Sequence, residues 1–254
     1  KVRNTSRYLL GNLHDFVPSR DAIAISDLPL LDRWMLQRTA TVLDQISEAF
    51  ERYEFFRFFQ LLQNFCVADL SNFYLDIAKD RLYVSAPNDK RRRSCQTVMA
   101  LIIERLAAAI APVLCHMAED IWQNIPYPTG TESVFLSGWP TVPDEWRDDS
   151  LQAPMQELRE LRAAVNKVLE ECRSKRELGA SLEAAVRLEA RTPALQDALH
   201  WLQSKGDQEV DGLRDWLLVS QLQIGGEPWA ELLASDDNEL AVIEVALSRG
   251  EKCE

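Results

Sequence analysis

The sequence predicts a mainly α protein, an antiparallel helix bundle followed by a smaller α+β domain. Three observations carry that prediction. Apolar residues recur at steps of three and four through residues 1–125, the mark of helices with one buried face. A passage dense in turn formers follows, from Ile125-Pro126-Tyr127-Pro128-Thr129-Gly130 to Asp148-Asp149. Beyond it, short runs of small and β-branched residues interrupt the helical period. With 46% hydrophobic residues, 254 residues can fill one large core or two modest ones.

In chain order, Arg3 to Phe16 has helical spacing through Leu9, Leu10, Leu13 and Phe16, and Pro18 closes it. From Leu30 to Tyr53, Leu31, Trp34, Met35, Val42, Leu43, Ile46 and Phe50 bury one face of a long second helix. Phe55 to Tyr83 gives a third, with a thick stripe through Phe58, Leu61, Leu62, Phe65, Leu70, Phe73 and Ile77. A fourth runs through Met99, Ile102, Ile103, Leu106 and Ile110, with a kink or break at Pro112. These elements make a bundle domain over residues 1–140. In the second half, Met155 to Cys172 marks a helix ending near Gly179, and Ala194 to Gln203 another. Leu182 to Glu189, Leu217 to Ile224 and Ala241 to Leu247 are of strand length. They define an α+β domain over residues 150–250, with 251–254 left as a stub.

No run of 18 apolar residues occurs and the first residues do not form a signal peptide, so a cytoplasmic protein without membrane contact is expected. A start at Lys1 and an abrupt end at Cys253-Glu254 suggest a piece of something longer. Five widely spaced cysteines, four of them in apolar helical patterns, predict reduced thiols in a core rather than a disulfide framework. The net charge of −12 opposes nucleic-acid binding at first sight. Its distribution softens that objection for the first half. Residues 1–140 hold 15 Lys/Arg against 16 Asp/Glu, and residues 141–254 hold 13 against 24.

Catalytic constellations are scarce. His14, His116 and His200 belong to no nucleophile or metal motif, and the nine glycines form no phosphate loop. A hydrolytic cluster of His116, Glu119 and Asp120 can be drawn, but the same residues make an ordinary polar face opposite Met117 and Ile121. Two basic clusters are more informative. Lys79 and Arg81 lie in Phe73-Tyr74-Leu75-Asp76-Ile77-Ala78-Lys79-Asp80-Arg81-Leu82-Tyr83, and Lys90-Arg91-Arg92-Arg93 opens the next helix. Cations at a helix N-terminus oppose the macrodipole by about 0.3–1 kcal/mol per close charge, a penalty that an anionic partner removes. If the third and fourth helices are antiparallel neighbours, Lys79, Arg81 and Lys90 to Arg93 gather at one end of the bundle beside Tyr74 and Tyr83. Cations with aromatics suit single-stranded RNA, phosphates for position and rings for stacking. The competing reading pairs these cations within the chain, in a helical interaction module without RNA.

With those residues in view the chain resembles the isoleucyl-tRNA synthetases, class I enzymes with a helical anticodon-binding domain. Lys1 to Leu13 is similar to their "RNT-R-LL-NL" helix, Leu31-Asp32-Arg33-Trp34 to "LDRW", Phe73 to Tyr83 to "FYLDxxKDRLY", and Arg92-Arg93-Ser94-Cys95-Gln96-Thr97 to "RRSCQT". Val165-Asn166-Lys167-Val168 and Ser181 to Val186 resemble the junction domain of bacterial-type members, and Ala246 to Cys253 the lead-in to their zinc module. Valyl and leucyl enzymes share the bundle and remain alternatives. The resemblance implies a tRNA-binding region of a monomeric, ATP- and Mg-dependent isoleucine ligase, working with a catalytic domain of the same parent chain. HIGH and KMSKS motifs are missing, so the chain alone is expected to be inactive and to need no cofactor. Cys253 matches the first ligand of the parent's structural zinc, but a zinc site needs about four ligands and this one is expected to stay metal-free. The implied RNA contacts are Lys79, Arg81, Arg91, Arg92, Arg93, Tyr74 and Tyr83, with Arg3, Asn4 and Arg7 as candidates for the stem.

Overall fold

In the computed structural model, residues 1–205 and 212–248 are described. The chain divides into two compact units, Lys1–Asp148 and Asp149–Glu254. The first holds α1 (Val2–Asn12), α2 (Pro18–Asp21), α3 (Leu30–Glu51), α4 (Phe55–Asn64), α5 (Leu75–Tyr83), α6 (Lys90–Ile110) and α7 (Cys115–Gln123), with a π-helix over Phe65–Tyr74 joining α4 to α5. The stripe read from the sequence makes the core. Leu31, Met35, Leu36, Val42, Leu43 and Ile46 of α3 are buried, together with Leu62, Leu70, Val98, Ile103 and Leu106. Trp34 and Phe73 meet edge to face at 5.2 Å.

Two local features differ from the helical reading, and at Pro112 the break is found rather than the kink. The first helix stops at Asn12, and Pro18 opens α2 instead of closing α1, because a proline fits a first helical turn that lacks N–H partners anyway. Pro112 separates two helices rather than kinking one, with α6 ending at Ile110 and α7 starting at Cys115. The third helix is not α throughout. In the π-helix each turn is wider by a residue, and the backbone carbonyl of Cys66 accepts hydrogen bonds from the Ser71 hydroxyl at 2.7 Å and the Thr5 hydroxyl at 3.4 Å. The segment is thereby tied to α1.

The second unit comprises α8 (Gln152–Ser174), β1 (Ala184–Ala190), α9 (Pro193–Ser204), α10 (Leu213–Leu217), β2 (Gln221–Ile224), β3 (Ala234–Asp237) and β4 (Ala241–Leu247). The sheet order is β2-β1-β4-β3. β1 and β2 are parallel, with Val186 opposite Leu222, while β4 is antiparallel to both β1 and β3. Val186, Leu188, Ile243 and Val245 are buried on the face that α8 and α9 cover. On the other face Arg187 stands opposite Glu244 as a buried pair at 3.1 Å. The Trp229 amide donates to the same carboxylate, also at 3.1 Å.

Here too the sequence reading shifts. α8 ends at Ser174, and Arg176 takes the left-handed position (φ 62) expected of Gly179. The run from Leu217 to Ile224 splits into the end of α10 and β2. β3 was missed because Ala234-Ser235-Asp236-Asp237 is a polar edge strand with no apolar signal. Cys66, Cys95 and Cys172 are buried free thiols, but Cys115 is exposed. The stub at 251–254, Cys253 included, lies outside the described residues.

Candidate nucleic-acid interface

The candidate residues do not gather at one solvent-facing end of the bundle; the structure divides them. Tyr74, at the end of the π-helix, and Arg81, about two turns further along in α5, both point inward to Asp32 of α3, and all three are fully buried. The Tyr74 hydroxyl donates to Asp32 Oδ1, and Arg81 Nη1 donates to Asp32 Oδ2 at 2.5 Å and lies 3.6 Å from Cys95 Sγ. Burial and the neighbouring Asp32 carboxylate raise the Tyr74 hydroxyl well above its usual pKa, so it stays a donor. Burial pushes the Cys95 thiol up to about 12. Removing either member of a charged pair this deep strands the other charge in the core, which makes the cluster a clamp between α3 and α5.

Arg92 and Arg93 form a second clamp. Arg92 grips Asp15 in bidentate fashion, Nη1 to Oδ2 at 2.6 Å and Nη2 to Oδ1 at 3.0 Å, and its Nε donates to the Leu82 carbonyl. Arg93 Nη1 donates to Gln96 Oε1 at 2.8 Å and lies 3.6 Å from both Asp15 and Asp21. Gln96 closes the ring by donating to the Asn12 carbonyl and to Asp15, each at 2.8 Å. The Arg92 guanidinium holds the Asp15 carboxyl well below the ordinary carboxylate range. The anion that relieves Arg92 and Arg93 near the start of α6 is therefore internal, supplied by the segment after α1. Asp89 adds a side-chain cap on the Arg91 amide at 2.7 Å.

The other candidates face solvent. Arg3, Asn4 and Arg7 are exposed on α1, and Lys79 and Tyr83 stand one turn apart on α5. Lys79 pairs with Asp76 at 2.8 Å, an exposed bridge of little energetic weight. The Asn12 amide reaches the Tyr83 hydroxyl at 3.5 Å, and Thr5 lies 3.1 Å from Ser71, so α1 runs beside and parallel to the helix that carries Tyr83. Arg91 is half-buried. α1 contains two arginines and no acidic residue, and among the described residues no carboxylate lies within ion-pair distance of Arg3 or Arg7. Asp15 and Asp32, the anions that matter most here, escaped the sequence reading. Asp32 had a signal, since it lies inside the apolar stripe beside Leu31.

The His116 cluster does not assemble. His116 and Asp120 are exposed, while Glu119 accepts from the Ser133 hydroxyl and the Val134 amide, both at 3.0 Å, and so pins a loop. Among the described residues no three His, Cys, Asp or Glu side chains could hold a metal ion, and no helix is long and apolar enough to cross a membrane.

Residues 32–188 match the family described as the anticodon-binding domain of tRNA ligase. Over all 254 residues the chain is 96% identical to the isoleucine–tRNA ligase of Synechococcus sp. (strain CC9311), covering 26% of that protein. It is 77% identical to the isoleucine–tRNA ligase of Parasynechococcus marenigrum (strain WH8102) and 76% to that of Prochlorococcus marinus (strain MIT 9313), again over the whole chain and 26% of each relative.

Proposed function

Because this chain belongs to the family of tRNA-ligase anticodon-binding domains, we propose that it holds the anticodon stem-loop of an isoleucine tRNA for a parent isoleucine–tRNA ligase. Its task is positioning. A grip on one end of the tRNA sets where the acceptor end falls in a catalytic domain of the same polypeptide, converting part of the encounter into an intramolecular step. The parent works as a cytoplasmic monomer with ATP and Mg at a site that these 254 residues do not contain. Among the described residues no group of His, Cys, Asp or Glu fits the structural zinc that the resemblance implied, and Cys253 lies outside them.

The observation that carries the reading is the uncompensated positive charge of α1. Arg3 sits in its first turn, where the helix dipole disfavours a cation, and Arg7 follows one turn later. A phosphate backbone along α1 would satisfy both. Lys79, Tyr83 and Arg91 extend the proposed surface, with Asn4 placed for a stem contact. Tyr74, Arg81, Arg92 and Arg93 are given a different job: they fix the helices that present the surface. The test is tRNA binding by the intact ligase as a function of salt. Replacing Arg3 and Arg7 by Ala should weaken binding and flatten the plot of log affinity against log salt by about 1.5, at roughly 0.7–0.9 per phosphate contact. Unaltered affinity and slope would place the RNA elsewhere.

A further inference from the structure

Glycine at position 11 serves no purpose inside the described chain. Gly11 lies within α1, one residue before its end at Asn12, and glycine favours a helix less than any residue except proline. Two structural reasons for a glycine at such a place fail here. Gly11 does not adopt a positive φ, so it is not the left-handed residue that terminates many helices. A Cβ built on it meets no atom within 4 Å, so no neighbouring segment needs the gap. Alanine would fit, and the helix would gain by it. A local rule broken without internal return points to a use outside the chain.

The surroundings of Gly11 narrow that use. Arg3, Arg7 and Gly11 are spaced by four, which puts them on one exposed face of α1 at successive turns. Each step along the row is about 6 Å. Its first two turns present cations without carboxylate partners, and its third presents bare backbone. The exposed His14 closes the row at the helix end, with Nδ1 donating to the Gly11 carbonyl at 3.0 Å. Nε2 of the same ring bonds to none of the described residues. A polyanion following this row meets no opposing charge, because α1 has no acidic residue and Asp15 is held by Arg92. A bulky polyanion also needs what glycine supplies, a place where its own atoms can lie against the helix backbone.

We propose that the sugar-phosphate backbone of the tRNA makes its closest approach to the bundle at Gly11, with a phosphate on Arg7 to one side and His14 at the other. This rests on reading α1 as the RNA surface. Gly11 then sets how deeply the RNA seats, while the arginines supply charge. Binding of tRNA by the intact ligase tests it. Gly11→Gln adds a neutral, helix-compatible side chain in open space, so the melting temperature should hold or rise. Affinity for tRNA should fall by about tenfold, the usual consequence of forcing extra atoms into a packed contact. In the Arg3→Ala, Arg7→Ala background the RNA is already loosened along α1, and the same Gln should cost less. Unchanged affinity of the Gln variant would overturn the proposal. So would a loss of affinity that comes with a lowered melting temperature, which makes Gly11 structural, or an equal loss in both backgrounds, which separates Gly11 from the arginine row. The RNA reading of α1 fails in a different way, by an arginine double variant that binds tRNA like the wild type.

Discussion

Arg81 and Lys79 sit two residues apart and do opposite things. Arg81 is buried against Asp32, so Arg81→Ala leaves a carboxylate stranded in the core and should cost about 3–5 kcal/mol. Lys79→Ala removes one exposed pair and should change stability by less than about 0.5 kcal/mol. Urea denaturation of the two variants checks the contrast, and equal midpoints would deny the clamp. The difference was partly legible in the sequence. Phe73, Ile77 and Arg81 are spaced by four, so the stripe that buries the first two carries the third inward. Residue type misled, because an arginine invites a surface reading while its partner lies 49 positions away on another helix. No local pattern announces that pairing.

Among elements, the connection from α1 to α3 depends on ionised Asp15. Its folded carboxyl titrates below the unfolded value of about 3.9, so its contribution is complete above that pH and lost as pH falls toward the lower folded value. Asp15→Asn should therefore lower the melting temperature at neutral pH, at a cost of about 1–3 kcal/mol, and flatten its fall below pH 4. Calorimetry across pH tests this; parallel curves for variant and wild type would refute it. The α3–α4 corner predicts a gain instead. Tyr53→Gly in the 254-residue chain relieves the left-handed turn and should raise stability by about 0.5–1 kcal/mol, read from the urea midpoint. Long amphipathic helices were readable because their apolar period repeats over many turns. The π-helix was not, since widening the turns changes the hydrogen-bond partners and leaves the composition of the stripe as it was.

For the whole molecule, charge is local. The bundle unit is near neutral while the acidity accumulates in the second half, so tRNA affinity should follow the α1 surface and not the net charge of −12. Adenylate formation needs motifs that these residues lack, so the purified 254-residue chain should show isoleucine-dependent pyrophosphate exchange at background. Exchange above background would mean that an ATP site had been overlooked. The wide turns at Phe65–Tyr74 also set how the gene can change length. A turn that is wider by a residue can give that residue up and close to an α turn, so the helix on either side keeps its phase. Deletion of Ala68 should therefore leave Tyr74 and Arg81 facing Asp32 and lower the urea midpoint only partly. Deletion of Ala40 within α3, where each residue advances the next by about 100°, should instead abolish folding, since every later side chain of that helix would leave the core face. In the bundle, the π segment is where the gene can lose a codon at least cost.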